Sequence, residues 1–370
     1  MKILMIGWGY PPRIDGGLDT HVYEISRELA KSIDVFLTLP EFNSPKSLPR
    51  DIKIIPVPCP GFSDISSLLR CVKIYNKNIV KMCRGIGFDI IHSHDWLGAE
   101  ASETLKKMTG KPWVFTLHSL EYMRSCSQAN SFIEKMESRA AKMCDVVLTV
   151  SNFMKTEISN NYGVENERIK VVYNSADARK GNPEEIRKRL GIGKRPMVLF
   201  LGRLSRQKGV EHFVLSARIV VKEFPEAIFV VAGDGYLRES LERFSKNLGI
   251  ANVIFTGFVP EDEVFSYYSA ADVFVSPSIF EPFGITVLES LLSGTPVIVG
   301  EGAGVLERIP EMECIFKVKP GNSLEIAEKI SYVLNKRIGV SERDKQALKK
   351  AYSWERSAME ILDVYRNWSK

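Results

Sequence analysis

The stretch VFVSPSIFEPFGITVLESLLSGTPVIVG, residues 273–300, holds a strand, a helix and a second strand within one short segment. VFVS and PVIVG are short runs rich in β-branched residues, the kind that suits a pleated strand covered on both faces. Between them, Phe283-Gly284 opens a helical segment. Two strands joined through a helix are expected to lie parallel in one sheet.

Working outward, the same alternation extends over most of the chain. MVLFLGRL (197–204), AIFVVAG (227–233), VIFTGFV (253–259) and CIFKV (314–318) read as further strands, with helices beginning near Gly209, Tyr236, Asp262, Gly284 and Ser323. Upstream, the strand readings are KILMIGW, IDVFLTLP, KIIPVP, IIHSH, WVFTLHS, VVLTVS and IKVVYN, with helices near Thr20 to Lys31 and Ser66 to Arg84. Residues 175–195, polar and punctuated by Gly and Pro, read as a linker carrying one short helix. The expectation is an α/β chain with two Rossmann-like domains, 1–175 and 176–354. Ligands of such sheets sit beyond the carboxyl ends of the strands, so a shared cleft is the expected site.

Composition narrows the function classes. At 370 residues and 45% hydrophobic content the chain can bury two ordinary cores. Fifty basic against 45 acidic side chains is too mild a balance to argue for nucleic acid. No apolar stretch approaches the roughly 20 residues of a membrane span, and MKILMIGWGYPP reads directly into a strand, so a cytoplasmic protein is expected. Six cysteines without CxxC spacing suit neither a zinc site nor a disulfide framework.

The chemistry begins at GRLSRQKG, 202–209, where a strand ends at Gly202-Arg203 and Lys208 stands at a helix entrance. A guanidinium fork, an ammonium and a helix N-terminus together suit a diphosphate. Glu281 precedes the Phe283-Gly284 turn and Glu289 falls inside the helix that follows. Gly284 lets backbone approach a ligand, the amides of Ile285 and Thr286 can meet phosphate oxygens, and the two carboxylates can accept hydrogen bonds from sugar hydroxyls. Singly, each of these charges is equally readable as a solvated loop or helix residue. Together they favour a nucleotide-sugar site.

At this point the sequence resembles the retaining glycosyltransferases of the GT-B fold, family 4, and within them the glycogen-synthase-like branch. The resemblance covers nearly the whole chain. It rests on YPPRIDGGLDTHVYEIS, IIHSHDWLGAEA, FTLHSLE, VLTVSNFMK, GRLSRQKGV, VAGDGYLRESLE, FTGFV, SPSIFEPFGITVLESLLSGTPVI and YSWERSAMEILDVY. It implies two facing Rossmann-like domains with a cleft between them, and a last helix, 355–370, that crosses back onto the first. It further implies that Arg203 and Lys208 hold the donor diphosphate, that Glu281 contacts the sugar and Glu289 the ribose, and that Gly16 and Gly17 approach the phosphates. His118 would lie beside the transferred sugar, making His118 and Glu281 the catalytic pair. Gly257 and Phe258 of FTGFV, with Phe283, Gly284, Ile285 and Thr286, would complete the donor site. No cofactor is expected; the donor would be ADP-glucose, UDP-glucose or another nucleotide diphosphate sugar, and the acceptor an α-glucan or oligosaccharide. The chain departs from the glycogen-synthase pattern at Ile14, at Tyr173-Asn174-Ser175 and at Gly302 to Glu307.

Metal independence is expected, since no Asp-x-Asp motif occurs and the cationic pair can balance a leaving diphosphate. The competing metal reading is His92 and His94 on one strand face with Asp95. His21 is readable either as an acceptor-side residue or as a helix-surface histidine. Arg70, Lys73, Lys77, Lys81 and Arg84 recur at helical spacing, and that stripe is either a solvated outer face, with Val72, Tyr75, Ile79 and Met82 turned inward, or a peripheral contact with anionic lipid that delivers a lipid-linked acceptor. A nicotinamide-dependent dehydrogenase is disfavoured, because Gly7-Trp8-Gly9 lacks the third glycine and is followed by two prolines. A sugar-nucleotide epimerase and a non-catalytic nucleotide-sugar sensor remain as alternatives.

Overall fold

The structure is a computed structural model that describes residues 1–12, 14–45, 51–126 and 128–368. Its contacts divide the chain into two compact units. The first comprises Met1–Tyr122, Gln128–Asn174 and Trp354–Lys370, and the second Met123–Ser127 and Ser175–Ser353. Met123–Ser127, read from sequence as part of the first domain, thus clusters with the second unit, and Trp354 clusters with the first.

The first unit is a seven-stranded sheet of β1 (Lys2–Ile6), β2 (Asp34–Pro40), β3 (Ile52–Val57), β4 (Ile90–His94), β5 (Trp113–Leu117), β6 (Val146–Thr149) and β7 (Ile169–Val171). Their spatial order is β3-β2-β1-β4-β5-β6-β7, and every pairing is parallel. The second unit is a six-stranded sheet of β8 (Met197–Leu201), β9 (Ile228–Ala232), β10 (Val253–Gly257), β11 (Val273–Ser276), β12 (Val297–Gly300) and β13 (Ile315–Val318). Its order is β10-β9-β8-β11-β12-β13, again parallel throughout. Every strand read from the sequence is present. Ile3, Leu4, Met5 and Ile6 of β1 show why: all four are buried, so the strand is apolar on both faces and reads as an unbroken run. In each sheet the strand order reverses at one point, β1/β4 in the first and β8/β11 in the second, which is where doubly wound sheets open a crevice for ligands.

The helix Trp354–Trp368 packs on the helix Gly17–Ala30 within the first unit. Two polar contacts anchor it. Ser357 Oγ donates to the Tyr173 carbonyl at 2.6 Å, and the Tyr365 hydroxyl lies 2.6 Å from His92 Nδ1. His92 Nε2 meets Thr116 Oγ1 at 2.7 Å, so both ring nitrogens of this fully buried histidine are engaged. Tyr365→Phe strands His92 Nδ1 in the core and is expected to destabilise by about 1–3 kcal/mol. Calorimetry should show a lower Tm for that variant, and no change for Tyr332→Phe, whose side chain is half exposed in the second unit.

The helix Ile65–Cys83 starts at a capping box, Asp64 accepting the Ser67 amide at 3.0 Å while Ser67 Oγ accepts the Asp64 amide at 3.1 Å. Val72, Tyr75 and Ile79 are buried beneath it, and Arg70, Lys73, Lys77, Lys81 and Arg84 are all exposed. Met82, expected to face inward, is instead exposed, because it falls beside Lys81 on the outer side of the last turn. Among the described residues no helix is long and apolar enough to cross a membrane, and the six cysteines are unpaired.

Candidate active site

In the second unit the site begins where three strands end side by side in glycine. Gly202, Gly233 and Gly257 follow or close β8, β9 and β10, with φ of 154°, 132° and 81°. Their backbones are stitched together: the Gly202 amide donates to the Ala232 carbonyl at 3.0 Å, the Gly233 amide to Gly257 at 2.8 Å, and the Leu204 amide to Asp234 at 2.8 Å. At Gly233 no side chain fits, since a Cβ there would stand 2.0 Å from the Gly202 oxygen. The loop bearing Arg203 is therefore held by backbone packing. Arg203 itself is exposed at the carboxyl edge of the sheet.

Lys208 ends a short turn, Arg206–Lys208, that is tied to the segment after β11. The Ile279 amide donates to the Gln207 carbonyl at 2.8 Å, Gln207 Nε2 donates to the Phe280 carbonyl at 3.1 Å, and a Cβ on Gly209 would meet the Pro277 oxygen at 2.3 Å. This close approach brings Lys208 Nζ to 2.8 Å from Glu281 Oε2, and Ser278 Oγ donates to the same oxygen at 2.8 Å. Glu281 is 7% exposed, so the pair is mostly shielded from screening. The Gly304 amide reaches the Glu281 carbonyl and the Val305 amide reaches that of Phe283, which makes the Gly302 to Glu307 loop a support for this turn.

Gly284, at φ 105°, precedes the helix Ile285–Ser293, and no side chain caps that helix. The Val287 amide turns back to the Gly284 carbonyl at 3.1 Å, while the amides of Ile285 and Thr286 precede the first intrahelical bond and with the dipole favour an anion. The Phe283 ring is buried edge-on against Tyr352, 5.6 Å between centroids, so its side chain is committed to packing. Ile285 is also buried, Thr286 half-buried, and Phe258 exposed. Glu289 accepts from the Tyr268 hydroxyl at 3.0 Å, an interaction that depends on a neighbouring helix and has no sequence signature.

In the first unit Gly16 and Gly17 are exposed at the start of the helix Gly17–Ala30, three residues earlier than the sequence reading placed its beginning. Asp19 in the first turn ties back the loop, its oxygens accepting the Gly9 amide at 2.9 Å and the Asp15 amide at 3.0 Å. Gly9 has to be glycine, because a Cβ there would stand 2.3 Å from Asp19 Cγ.

His118 follows β5 and is buried. Its amide donates to Asp95 Oδ1 at 2.8 Å, and its Nε2 lies 3.2 Å from His94 Nδ1. His21 is not a helix-surface residue: it is buried, with Nδ1 2.7 Å from Asn174 Oδ1 and its ring 4.6 Å from that of His118. Burial drives the three rings towards the neutral form, His21 to about 4 and His94 and His118 well below the usual histidine range. The grouping of His92 and His94 with Asp95 is corrected here. His92 has both nitrogens occupied and is pushed down to about 3 by burial, and Asp95 is held by the His118 amide. His94 instead joins His21 and His118, because the carboxyl ends of β4 and β5 lie next to the helix that follows β1.

Comparison with known proteins bears on the family and the fold. Residues 15–180 match Glycosyltransferase Family 4 and residues 182–354 match Glycosyl transferases group 1. An uncharacterized glycosyltransferase of Methanocaldococcus jannaschii is 32% identical over 99% of this chain and 98% of its own length. The alpha-maltose-1-phosphate synthase of Mycolicibacterium smegmatis is 27% identical over the whole of both chains. Among solved structures, sucrose-phosphate synthase of Thermosynechococcus elongatus superposes with a TM-score of 0.86 at 21% identity, covering 99% and 98% of the two chains. Anabaena HepE in complex with UDP and glucose gives 0.81 at 18% identity, covering 99% of each. Two parallel-sheet Rossmann-like units, these motifs and a full-length relative at this identity place the chain in family 4 of the glycosyltransferases, with the GT-B fold.

Proposed function

We propose that this glycosyltransferase moves a hexosyl group, glucose in the first instance, from a nucleotide diphosphate sugar to an α-glucan or oligosaccharide, with retention and without a metal. The observation that carries the reading is the shielded Lys208–Glu281–Ser278 cluster beside the uncapped helix at Gly284. The cation and the helix N-terminus suit a diphosphate, and the carboxylate suits sugar hydroxyls. Arg203 adds a second cation from the adjoining strand end, and Glu289 is assigned to the ribose. Gly16, Gly17, Gly257 and Phe258 are assigned to the donor, and His118 to the transferred sugar. The donor class is supported by the nucleotide and glucose bound to the structurally similar HepE, and the glucan-type acceptor by 25% identity over 99% of this chain to a glycogen synthase of Mycobacterium tuberculosis.

In the proposed step the bond from the anomeric carbon to the diphosphate oxygen breaks and a bond to the acceptor oxygen forms on the same face. The acceptor proton passes to the departing phosphate oxygen, so no carboxylate need act as nucleophile, in contrast to a retaining glycosidase. Arg203, Lys208 and the helix amides stabilise charge that develops on the leaving group.

A lipid-linked acceptor is a second reading. It is favoured by four exposed cations on the helix Ile65–Cys83 and a fifth, Arg84, at its C-cap, and by exposed Phe62, Ile65 and Met82 on or next to it. One experiment addresses both. Labelled ADP- and UDP-glucose are offered with glucan primers, with oligosaccharides or with anionic vesicles bearing lipid acceptors, in the presence of chelator. Transfer to a soluble glucan with an α-linked product by NMR is expected. Label appearing only in lipid would move the assignment to the second reading. An epimerised donor, or nucleotide binding without any transfer, would end both.

A further inference from the structure

We propose that His21, His94 and His118 form a binding site for one borderline-soft divalent metal ion of the zinc or cobalt kind. One nitrogen from each ring lies within 4.8 Å of one from each of the other two. A triangle of that size puts a central ion no more than about 2.8 Å from each nitrogen, against roughly 2.0–2.1 Å for a zinc–imidazole bond. Closure therefore asks each ring to move by less than about 1 Å. His94 Nδ1 and His118 Nε2, 3.2 Å apart, already have the spacing of an edge of a tetrahedral site, about 3.4 Å for bonds of that length.

The hydrogen-bond inventory points to a ligand independently. His21 Nε2, the nitrogen this ring would offer, is buried without a partner, an arrangement that proteins seldom leave unsatisfied. Asn174 Oδ1 can only accept, so His21 Nδ1 carries the proton and its Nε2 presents a bare lone pair. That is the outer-sphere arrangement that orients a metal-binding imidazole. His94 Nδ1 and His118 Nε2 share a single proton, and these inner nitrogens, not the outer His94 Nε2 and His118 Nδ1, would face the ion. Binding an ion in place of the shared proton requires one ring to change tautomer and releases no proton, because the rings are already neutral. Neutral imidazoles alone select zinc, cobalt, nickel or copper over magnesium and calcium, which require oxygen.

The ion is not a cofactor of the transfer. It takes the ring assigned above to the transferred sugar, so it should inhibit, and this consequence, unlike the binding, rests on that functional reading. Chelator-stripped full-length protein titrated with Co2+ is expected to take up one equivalent, with the visible ligand-field absorption of a low-coordinate cobalt. His21→Gln and His94→Gln should abolish it, Asn174→Ala should weaken it by about 10–100-fold, and His212→Gln, in the other unit, should leave it intact. X-ray absorption of zinc-loaded wild type, which needs no variant to fold, should show imidazole nitrogen and no sulfur. Absence of stoichiometric uptake, a sulfur shell, or uptake that survives both His21→Gln and His94→Gln overturns the site. Uptake that leaves transfer unaffected overturns the inhibition and the role of His118, while the binding site stands.

Discussion

Lys208→Ala is expected to lower kcat/KM for the nucleotide sugar by about 10²–10³-fold, the loss typical when one preorganised charge partner of a developing anion is removed. The ammonium has two tasks. It lies 2.8 Å from Glu281 Oε2, where it compensates a carboxylate that is 7% exposed, and that carboxylate stands three residues before the uncapped helix start at Gly284. Without it, the neutral Ser278 hydroxyl is left to support that oxygen, and a buried, poorly compensated charge is costly. Donor binding and Tm should both fall. If the main task is to stabilise the leaving diphosphate, kcat falls more than KM rises, because the charge exists in full only after the bond breaks. Glu281→Gln separates the tasks: it keeps Lys208 and Ser278 in place, removes the buried charge, and should spare Tm while lowering kcat. Wild-type turnover in Lys208→Ala would remove Lys208 from the donor site.

Gly233→Ala is expected to be the most damaging single methyl in the second unit. At φ 132° an L-residue is strained, and the added Cβ would stand 2.0 Å from the Gly202 carbonyl oxygen, which is backbone and cannot rotate away. Relief requires β8 and β9 to part at their carboxyl ends, breaking the bonds from Gly202 to Ala232 and from Leu204 to Asp234. A loss of more than about 3 kcal/mol follows from combining backbone strain with broken ladder bonds. The natural control is Gly249→Ala. Its φ of 67° is also left-handed, but nothing lies within 4 Å of the new Cβ, so only the intrinsic strain of about 1–2 kcal/mol should appear. Urea melts of the two variants should rank in that order. Equal midpoints would show that packing at the strand ends is looser than the structure has it. Because Gly202 adjoins Arg203, a folded Gly233→Ala protein should also bind nucleoside diphosphate more weakly.

The central strands were legible because they are apolar runs covered on both faces, as β8 and β11 illustrate, while edge strands such as β3 and β7 keep an exposed lysine among β-branched residues. The helix Gly17–Ala30 was read three residues late, since Gly16 caps it without a side chain and leaves no hydrogen-bonding signature. The helix Glu342–Ala351 was not singled out, although its capping box of Ser341 and Asp344 is a local signal that could have found it. Ser278, Tyr268, Asn174 and the Gly302 to Glu307 loop had no such signal. Each matters through a partner distant in the chain or on another element.

The amino-acid sequence by itself determined two parallel Rossmann-like sheets and the charged motif set around Arg203, Lys208, Glu281 and Glu289. Both follow from local chemistry: burial pattern, glycine placement and charge next to a helix start. Only the tertiary structure decided that Lys208 and Ser278 converge on one oxygen of Glu281, and that His94 leaves Asp95 to join His21 and His118. Those outcomes depend on strand order and on which loops touch at the carboxyl ends of the sheets, and such contacts are set by packing between elements far apart in the chain.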